Sequence, residues 1–158
     1  MGVSGVGKTT IGTMLASRLG WAYYDADDFH PAENVDKMSR GVPLTDEDRE
    51  SWLAGIGALI RDRLDEGTPA VVSCSALKES YRRDLGQGDG RVVFLYLMAP
   101  KEVVEGRIRN RSGHFFNPAL LTSQYQTLEE PSGAVIVDAT KEPASVVDEA
   151  MRKLSPDL

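Results

Sequence analysis

Residues 2–9 read G-V-S-G-V-G-K-T and match the phosphate-binding loop pattern G-x-x-x-x-G-K-[ST]. The glycines allow the backbone to curl so that successive N–H groups point at phosphate oxygens, and the helix predicted to follow adds its positive dipole end. We expect Lys8 to reach the β- and γ-phosphates and Thr9 to offer its hydroxyl to Mg²⁺. The residues predicted to hold the nucleotide here are Gly2, Val3, Ser4, Gly5, Val6, Gly7, Lys8, Thr9 and Thr10. The loop therefore predicts a bound nucleotide, with Thr9 as a candidate ligand of Mg²⁺.

Only Met1 precedes this loop, although a phosphate-binding loop normally follows a buried strand. That strand is expected in the middle of the sheet. We therefore expect the true product to carry several apolar, β-branched residues upstream of Met1. Without them, the neighbouring strands would keep unpaired edge groups and the core would keep a groove.

Length and composition limit the class of protein. The chain has 158 residues, a net charge of −6 and a single cysteine, Cys74. The acidic balance argues against sequence-independent nucleic-acid binding, and one cysteine excludes a disulfide framework. No apolar run approaches the length of a membrane span. We expect one cytoplasmic domain over residues 1–158, with neither nucleic acid nor membrane as a partner.

Short apolar segments alternate with helical patterns along the chain. The predicted strands are Trp21–Tyr24, Ala70–Cys74, Arg91–Leu97 and Ala134–Val137. One predicted helix starts at Thr45, with Asp48 in a capping box, and stops at Gly67. The other predicted helices are Lys8–Leu19, Ala32–Ser39, Lys78–Leu85, Pro100–Asn110, Pro118–Leu128 and Pro143–Leu154. Nearly continuous hydrophobicity suits strands that are buried on both faces. The pattern predicts the three-layer α/β fold of P-loop nucleoside triphosphate hydrolases, a parallel sheet with helices on both faces, its first strand missing from the chain.

Three carboxylates stand where a predicted strand ends, in the stretch Asp25-Ala26-Asp27-Asp28-Phe29-His30-Pro31. Side chains at the carboxyl end of a parallel strand project into the crevice where ligands bind. One carboxylate there can serve a Mg²⁺ shell, and another can accept the proton of an attacking hydroxyl. We assign these roles to Asp25 and Asp27 respectively. The alternative is an acidic loop that caps the next helix.

Further blocks follow in a recognisable order. They are Asn34-x-x-Lys37-Met38, Gly41-x-Pro43-Leu44-x-Asp46-x-Asp48-Arg49-x-x-Trp52-Leu53, Cys74-Ser75-Ala76-Leu77-Lys78-x-x-Tyr81-Arg82, Gly113-His114-Phe115-Phe116, and Leu120-Leu121-x-Ser123-Gln124 through Leu128-Glu129-x-Pro131. Together with the acidic stretch, they cover nearly the whole chain and resemble the gluconokinase family of small P-loop carbohydrate kinases. The resemblance implies ATP-dependent, Mg²⁺-dependent phosphorylation of D-gluconate to 6-phospho-D-gluconate. It also implies an adenylate-kinase-like or shikimate-kinase-like core and, commonly, a homodimer.

Gluconate carries one carboxylate and several hydroxyls, so its pocket needs a cation and hydrogen-bonding side chains. Arg49 suits the carboxylate because a guanidinium binds it through two hydrogen bonds; the alternative is a surface arginine paired with Asp46 or Glu50. Lys78 and Arg82, four residues apart, would share one helix face and meet substrate or phosphate, unless they are ordinary surface charges. The predicted substrate-binding residues are Asp27, His30, Arg49, Lys78, Arg82 and Gln124. His30 has the alternative role of ordering the loop around Pro31.

Arg107 and Arg111 lie one helical turn apart, and the resemblance to small-molecule kinases implies that they belong to a lid around residues 107–120. By similarity to the shikimate-kinase-like group, Arg107 would stack on adenine and Arg111 would meet the phosphates. Closure of such a lid excludes water from the reaction. The alternative is a basic helix C-terminus favoured by the helix dipole. Residues 138–143, with Pro143, would form the far wall of the adenine site, and the predicted catalytic residues are Lys8, Asp27 and Arg111.

Other functions share the phosphate-binding loop. A regulatory GTPase would need the motifs D-x-x-G and N-K-x-D, and the chain contains neither. A nucleotide-binding module without catalysis fits poorly with the acidic charge and the paired arginines. Within the kinases, the alternative is an enzyme with a different acceptor, such as shikimate or a nucleoside monophosphate.

Overall fold

The protein is described here by a computed structural model that covers residues 1–110 and 118–155. Within these residues the strands are β1 (Ala22–Asp25), β2 (Ala70–Ser73), β3 (Leu95–Met98) and β4 (Val135–Asp138). The helices are α1 (Lys8–Leu19), α2 (Ala32–Ser39), α3 (Asp46–Asp65), α4 (Glu79–Asp84), α5 (Lys101–Arg109), α6 (Pro118–Thr127) and α7 (Pro143–Leu154). The predicted alternation of strands and helices is confirmed. Arg111 and the rest of the predicted lid up to residue 117 lie outside the described residues.

Strand boundaries follow the prediction to within one residue, except in β3. The sequence predicts a strand from Arg91, but β3 begins at Leu95. The Val92 amide donates to the Asp89 carbonyl over 2.9 Å, and the Arg91 amide donates to the Asp89 carboxylate over 2.9 Å. This turn uses backbone groups that a strand would need for its ladder, so the apolar run at residues 92–94 precedes β3.

Both pairs of strands run parallel, as their hydrophobic composition predicts. In the first pair, β1 lies beside β2 with Asp25 opposite Ser73. In the second, β3 lies beside β4 with Met98 opposite Asp138. The described strands therefore form two two-stranded sheets, where the sequence predicts one sheet.

Met1 and Gly2 bridge the two pairs. The Met1 amino group donates to the Leu95 carbonyl over 2.5 Å, and the Leu97 amide donates to the Met1 carbonyl over 3.0 Å. On the other side, the Gly2 amide donates to the Ser75 carbonyl over 3.2 Å. These two residues thus occupy the position at which the sequence analysis places a middle strand. A cavity of about 280 Å³ adjoins Met1, lined mainly by apolar side chains of α1, β2 and residues 92–97.

Helices cover both faces of the layer of strands. Val71 packs against a core formed by α1, α5 and α7, whereas Val72 packs against a second core around Trp52 and Ile56 of α3 and Tyr81 of α4. Successive residues of a strand point to opposite faces. The two cores therefore lie on opposite sides of β2, and the predicted three-layer α/β architecture is confirmed.

The start of α3 is fixed by its own sequence. The Asp48 amide donates to the Thr45 hydroxyl over 3.2 Å, and the Thr45 amide donates to the Asp48 carboxylate over 2.9 Å. This capping box, which the sequence predicts, sets the orientation of the first helical turn, which carries Asp46 and Arg49. In the part of the chain that the structure describes, no helix has the length and apolar character to cross a membrane.

Candidate active site

The phosphate-binding loop curls between the core and α1. Gly5 and Gly7 have φ angles of +80° and +111°, a region that favours glycine. A Cβ at Gly5 would lie 2.7 Å from the Ile108 side chain, so the loop also needs glycine for its close approach to α5. α1 begins at Lys8, and the first N–H groups of a helix have no acceptor within it. The loop thus presents backbone donors at the start of α1, as an anion-binding site requires.

Lys8 folds back over this loop. Its ammonium group donates to the Val3 carbonyl over 3.1 Å. Burial lowers the pKa of Lys8, and the nearby negative charge of Asp27 partly opposes that effect. An anionic phosphate beside Lys8 would favour its charged form. The residue is therefore placed to neutralise phosphate charge, with Asp27 within electrostatic reach.

Thr9 and Asp25 form the candidate Mg²⁺ ligands. The Thr9 hydroxyl donates to the Asp25 carboxylate over 2.9 Å, and the Tyr23 hydroxyl donates to the same oxygen over 3.1 Å. Mg²⁺ prefers oxygen ligands and commonly takes one or two from the protein, with water and phosphate completing its shell. In residues 1–110 and 118–155, no group of three His, Cys, Asp or Glu side chains could hold a metal ion. The oxygens of Thr9 and Asp25 fit the small protein contribution that Mg²⁺ takes beside a triphosphate.

Asp27 lies in the 3₁₀ turn that follows β1, with an exposed carboxylate. Its amide donates to the Asp25 carboxylate over 3.1 Å. The Nε2 atom of His30 lies 4.0 Å from the Asp27 carboxylate, and the His30 ring stacks on Trp52 with a centroid separation of 4.5 Å. Burial lowers the pKa of His30. These contacts match the role of ordering the acidic loop, and contact between His30 and substrate stays a prediction.

Arg49 and Lys78 come together around the buried ring of Tyr81. The Arg49 guanidinium lies 5.7 Å from the ring centroid, and the Lys78 ammonium lies 5.5 Å from it. Lys78 donates to both oxygens of Asp46, over 2.9 and 2.7 Å, and the Tyr81 hydroxyl donates to the same carboxylate. The Arg49 guanidinium donates to the Leu44 carbonyl over 2.7 Å. The structure thus brings together two of the predicted substrate cations.

Asp46 and Tyr81 were missed as site residues by the sequence analysis. Helical spacing contains a signal for both, because Asp46 precedes Arg49 by three residues and Tyr81 follows Lys78 by three. That spacing alone does not show that the two segments meet.

Arg82 lies elsewhere. Its side chain belongs to a residue that is 1% exposed, and its guanidinium donates to the carbonyls of Ala76 and Leu77 over 3.0 and 3.1 Å. Ala76 has a φ angle of +45°, which is uncommon for a residue other than glycine. α4 begins only at Glu79, so Lys78 and Arg82 do not share a helix face. This placement argues against the predicted substrate contact of Arg82 and indicates that it stabilises the strained loop after β2.

Gln124 contacts the phosphate-binding loop. The Ser4 amide donates to its side-chain oxygen over 2.6 Å, and its side-chain nitrogen donates to the Ser4 hydroxyl over 3.0 Å. Both polar groups of the amide are thereby used within the protein. The structure places Gln124 as a brace between α6 and the loop, and its predicted contact with a substrate hydroxyl stays a prediction.

A cavity of about 330 Å³ opens beside the phosphate-binding loop, and Gly7, Thr10, Arg107 and Pro143 contribute to its lining. The Arg107 guanidinium donates to the Val6 carbonyl and to the Thr140 carbonyl, each over 3.2 Å. Arg107 therefore joins the loop to the segment between β4 and α7. This is the region that the sequence analysis assigns to adenine.

Comparison with known proteins places these features in a family. The family model described as shikimate kinase matches residues 4–155. The gluconokinase of Gluconobacter oxydans is 44% identical in an alignment of 155 positions that covers 96% of this chain and 87% of that protein. This chain belongs to the gluconokinase family. The thermosensitive gluconokinase of Escherichia coli is 40% identical over 94% of this chain and 82% of its own length.

A solved structure agrees with the assignment to the gluconokinase family. The crystal structure of a gluconokinase from Sinorhizobium meliloti superposes with a TM-score of 0.89 at 44% identity, over 99% of this chain and 89% of that one. The predicted P-loop kinase fold and the resemblance to gluconokinases are both confirmed.

Proposed function

We propose that this member of the gluconokinase family transfers the γ-phosphoryl group of ATP to D-gluconate and releases 6-phospho-D-gluconate and ADP. The observation that carries the proposal is the match to gluconokinases along nearly the whole chain, at 44% identity over 96% of its residues. A complete phosphate-binding loop and a carboxylate within electrostatic reach of Lys8 support the same reaction.

In the proposed chemical step, Lys8 and Asp27 have separate roles. The hydroxyl oxygen of the acceptor attacks the γ-phosphorus, the bond to the oxygen that bridges the β- and γ-phosphorus atoms breaks, and the hydroxyl proton passes to the Asp27 carboxylate. Such a transfer needs alignment and charge neutralisation more than covalent help. Lys8 would neutralise charge on the transferred group, and the backbone donors of the loop would hold the other phosphates. Thr9 and Asp25 would hold Mg²⁺, which would supply further neutralisation of the phosphate charge.

The acceptor's carboxylate is assigned to Arg49 and Lys78. Arg49 is held by backbone carbonyls and Lys78 lies on the same aromatic ring, so the two cations are close together before substrate arrives. A preorganised cation pair loses little conformational entropy on binding an anion. We assign the 6-hydroxyl as the acceptor of the phosphoryl group on the basis of the resemblance to the family.

Arg107 and Pro143 are assigned to the base of ATP, because both line the cavity beside the phosphate-binding loop. Arg111, which lies outside the described residues, is assigned to the phosphates of the closed complex. We also assign the protein to the cytoplasm, in keeping with its single cysteine. A homodimer is proposed from the family resemblance, and sedimentation of the purified protein tests it.

A kinase with a different acceptor is the second candidate, and the match to the family model described as shikimate kinase favours it. Measurement of ADP release distinguishes a gluconate kinase from a kinase with a different acceptor. The acceptors to compare are gluconate, shikimate, related sugar acids and nucleoside monophosphates. We expect gluconate to give the highest kcat/KM. A higher value with shikimate or a nucleoside monophosphate would replace the proposed acceptor.

A further inference from the structure

Asp46 occupies the position in which the acceptor's carboxylate is expected. Its two oxygens accept hydrogen bonds from the Lys78 ammonium and from the Tyr81 hydroxyl, and the Arg49 guanidinium lies 3.8 Å away. An ammonium, a phenol and a guanidinium together form the donor set that suits a bound carboxylate. In the ligand-free protein, that donor set is filled by a side chain of the protein itself.

Exposure separates Asp46 from the groups that hold it. The Asp46 side chain is 60% exposed, whereas those of Arg49 and Lys78 are 18% and 29% exposed. Tyr81 is buried in the core beside α3, and two backbone carbonyls, those of Leu44 and Thr45, anchor Arg49. Exposed ion pairs contribute little net free energy, so a carboxylate on the solvent side of this cluster can leave it easily. Arg49 and Tyr81 are held by contacts that do not involve Asp46, and the Asp46 carboxylate is the exposed partner that can move.

Asp46 takes up the hydrogen bonds of Lys78 and Tyr81, and the positive charge that remains attracts an anion. Arg49 and Lys78 supply two positive charges and Asp46 supplies one negative charge, which leaves a net charge of one positive unit. The neighbouring ammonium and phenol hold the pKa of the Asp46 carboxyl below its ordinary value, so Asp46 is ionised at neutral pH. A second carboxylate beside it would meet like-charge repulsion at close range. The substrate and Asp46 therefore compete for the same donors.

We propose that Asp46 is a placeholder for the acceptor's carboxylate, which pairs with Lys78 and Arg49 until a sugar acid displaces it. The inference rests on the proposed function, since it requires an acceptor with a carboxylate. A neutral sugar could not replace Asp46, because Arg49 and Lys78 would then lose their counter-charge. The placeholder would thus contribute to selection of sugar acids over neutral sugars, at the expense of some affinity.

Binding measurements on the full chain test the placeholder. When only a fraction of a protein is competent to bind, its apparent affinity falls by that fraction, so Asp46→Asn should tighten gluconate binding by about three- to ten-fold in titration calorimetry. Glu47→Gln is the matched control, because it removes a charge from the same helical turn and Glu47 is exposed. Its gluconate affinity should change by roughly two-fold or less, as expected for a screened surface charge. Unchanged or weaker binding by Asp46→Asn, or an equal gain in both variants, would overturn the proposal.

A double-mutant cycle with Lys78→Gln distinguishes displacement from a simple charge effect. Lys78 is occupied by Asp46 in the unsubstituted protein and free in Asp46→Asn, so Lys78→Gln should weaken gluconate binding more in the Asp46→Asn background. Equal losses in the two backgrounds would overturn the placeholder. If the unsubstituted protein phosphorylates gluconate and Asp46→Asn binds no better, only the placeholder fails. If the unsubstituted protein neither binds nor phosphorylates gluconate, the proposed function fails as well.

Discussion

Asp27 combines an exposed carboxylate with a backbone that is held in place. Its amide bonds to Asp25, and the stacked pair of His30 and Trp52 supports the same turn. The Trp52 indole donates to the Ala26 carbonyl over 2.7 Å, which ties the turn to α3. This arrangement leaves the Asp27 carboxylate free to accept a proton while its position is defined.

The first prediction concerns that carboxylate. Asp27→Asn keeps the size of the side chain and removes the proton acceptor, so turnover with gluconate should fall by ~10²–10⁴-fold, the usual contribution of general base catalysis. The Michaelis constant for ATP should stay nearly unchanged. Steady-state kinetics with both substrates measure the two effects. Turnover within a few-fold of the unsubstituted enzyme would exclude the role of base.

The second prediction concerns Arg49. Arg49→Ala removes a charge-assisted hydrogen bond worth about 1.5–3 kcal/mol, so the Michaelis constant for gluconate should rise by roughly one to two orders of magnitude. The constant for ATP should change little. Arg49→Lys is the matched variant, because it keeps the charge and loses the paired geometry. Its Michaelis constant for gluconate should lie between those of the unsubstituted enzyme and Arg49→Ala. Equal changes in the gluconate and ATP constants would identify Arg49 as a structural residue.

At the scale of elements, α1 lies unusually close to the strands beneath it. A Cβ added at Gly12 would lie 2.6 Å from the Ser73 hydroxyl and 2.7 Å from the Tyr23 ring. Ser73 also donates to the Lys8 carbonyl over 3.1 Å, so the same residue of β2 contacts the start of α1. Close packing of α1 on β2 therefore helps to position the phosphate-binding loop.

The third prediction compares two helical glycines. Gly12→Ala should lower the free energy of unfolding by about 1–3 kcal/mol, because the added methyl group overpacks a tight interface. Gly106→Ala in α5 is the control, since a Cβ there meets no atom within 4 Å among the described residues. It should raise the free energy of unfolding by about 0.5–1 kcal/mol through helix propensity. Urea unfolding of both variants measures these changes, and a shift of the same sign in both would contradict the packing argument.

At the scale of the whole molecule, the two strand pairs meet at Met1 and Gly2. Burial lowers the pKa of the Met1 amino group from 8.0 to about 5. In a chain prepared with Met1 as its first residue, the unfolded state binds a proton at this group between those values and the folded state does not, so the stability of that chain should rise from pH 5 to pH 8. A charged terminus is therefore unfavourable at a site that is bordered by an apolar cavity.

The fourth prediction uses that cavity. Placing five apolar, β-branched residues before Met1 should raise the melting temperature, because they bury apolar surface and pair with the exposed edges of β2 and β3. The extension also converts the amino group into a peptide N–H, so the rise in stability from pH 5 to pH 8 should diminish. An extension of five Gly and Ser residues is the control, because it moves the charged amino group away from Met1 without filling the cavity. Equal melting temperatures for the two extended chains would contradict the predicted strand position.

Local sequence determined the features that depend on residues a few positions apart. The glycine spacing of residues 2–9 specifies the phosphate-binding loop, and Thr45 with Asp48 specifies the start of α3. Asp25 and Asp27 could be located because a strand end in a parallel sheet has a known relation to the ligand crevice. Each of these signals acts through the backbone geometry of a single segment.

Only the tertiary structure decided which segments meet. Gln124 accepts a hydrogen bond from Ser4, which is 120 positions away in the sequence. Asp46 accepts one from Lys78, which is 32 positions away. Arg82 follows Lys78 by four residues, which on the sequence alone suggests a shared helix face. In the structure Arg82 is buried beside the turn at Ala76, where its guanidinium donates to backbone carbonyls. Propensity and spacing describe one segment at a time, whereas these contacts arise when packing of the two cores sets distant segments side by side. The identity of the donors around Asp46 follows from that packing.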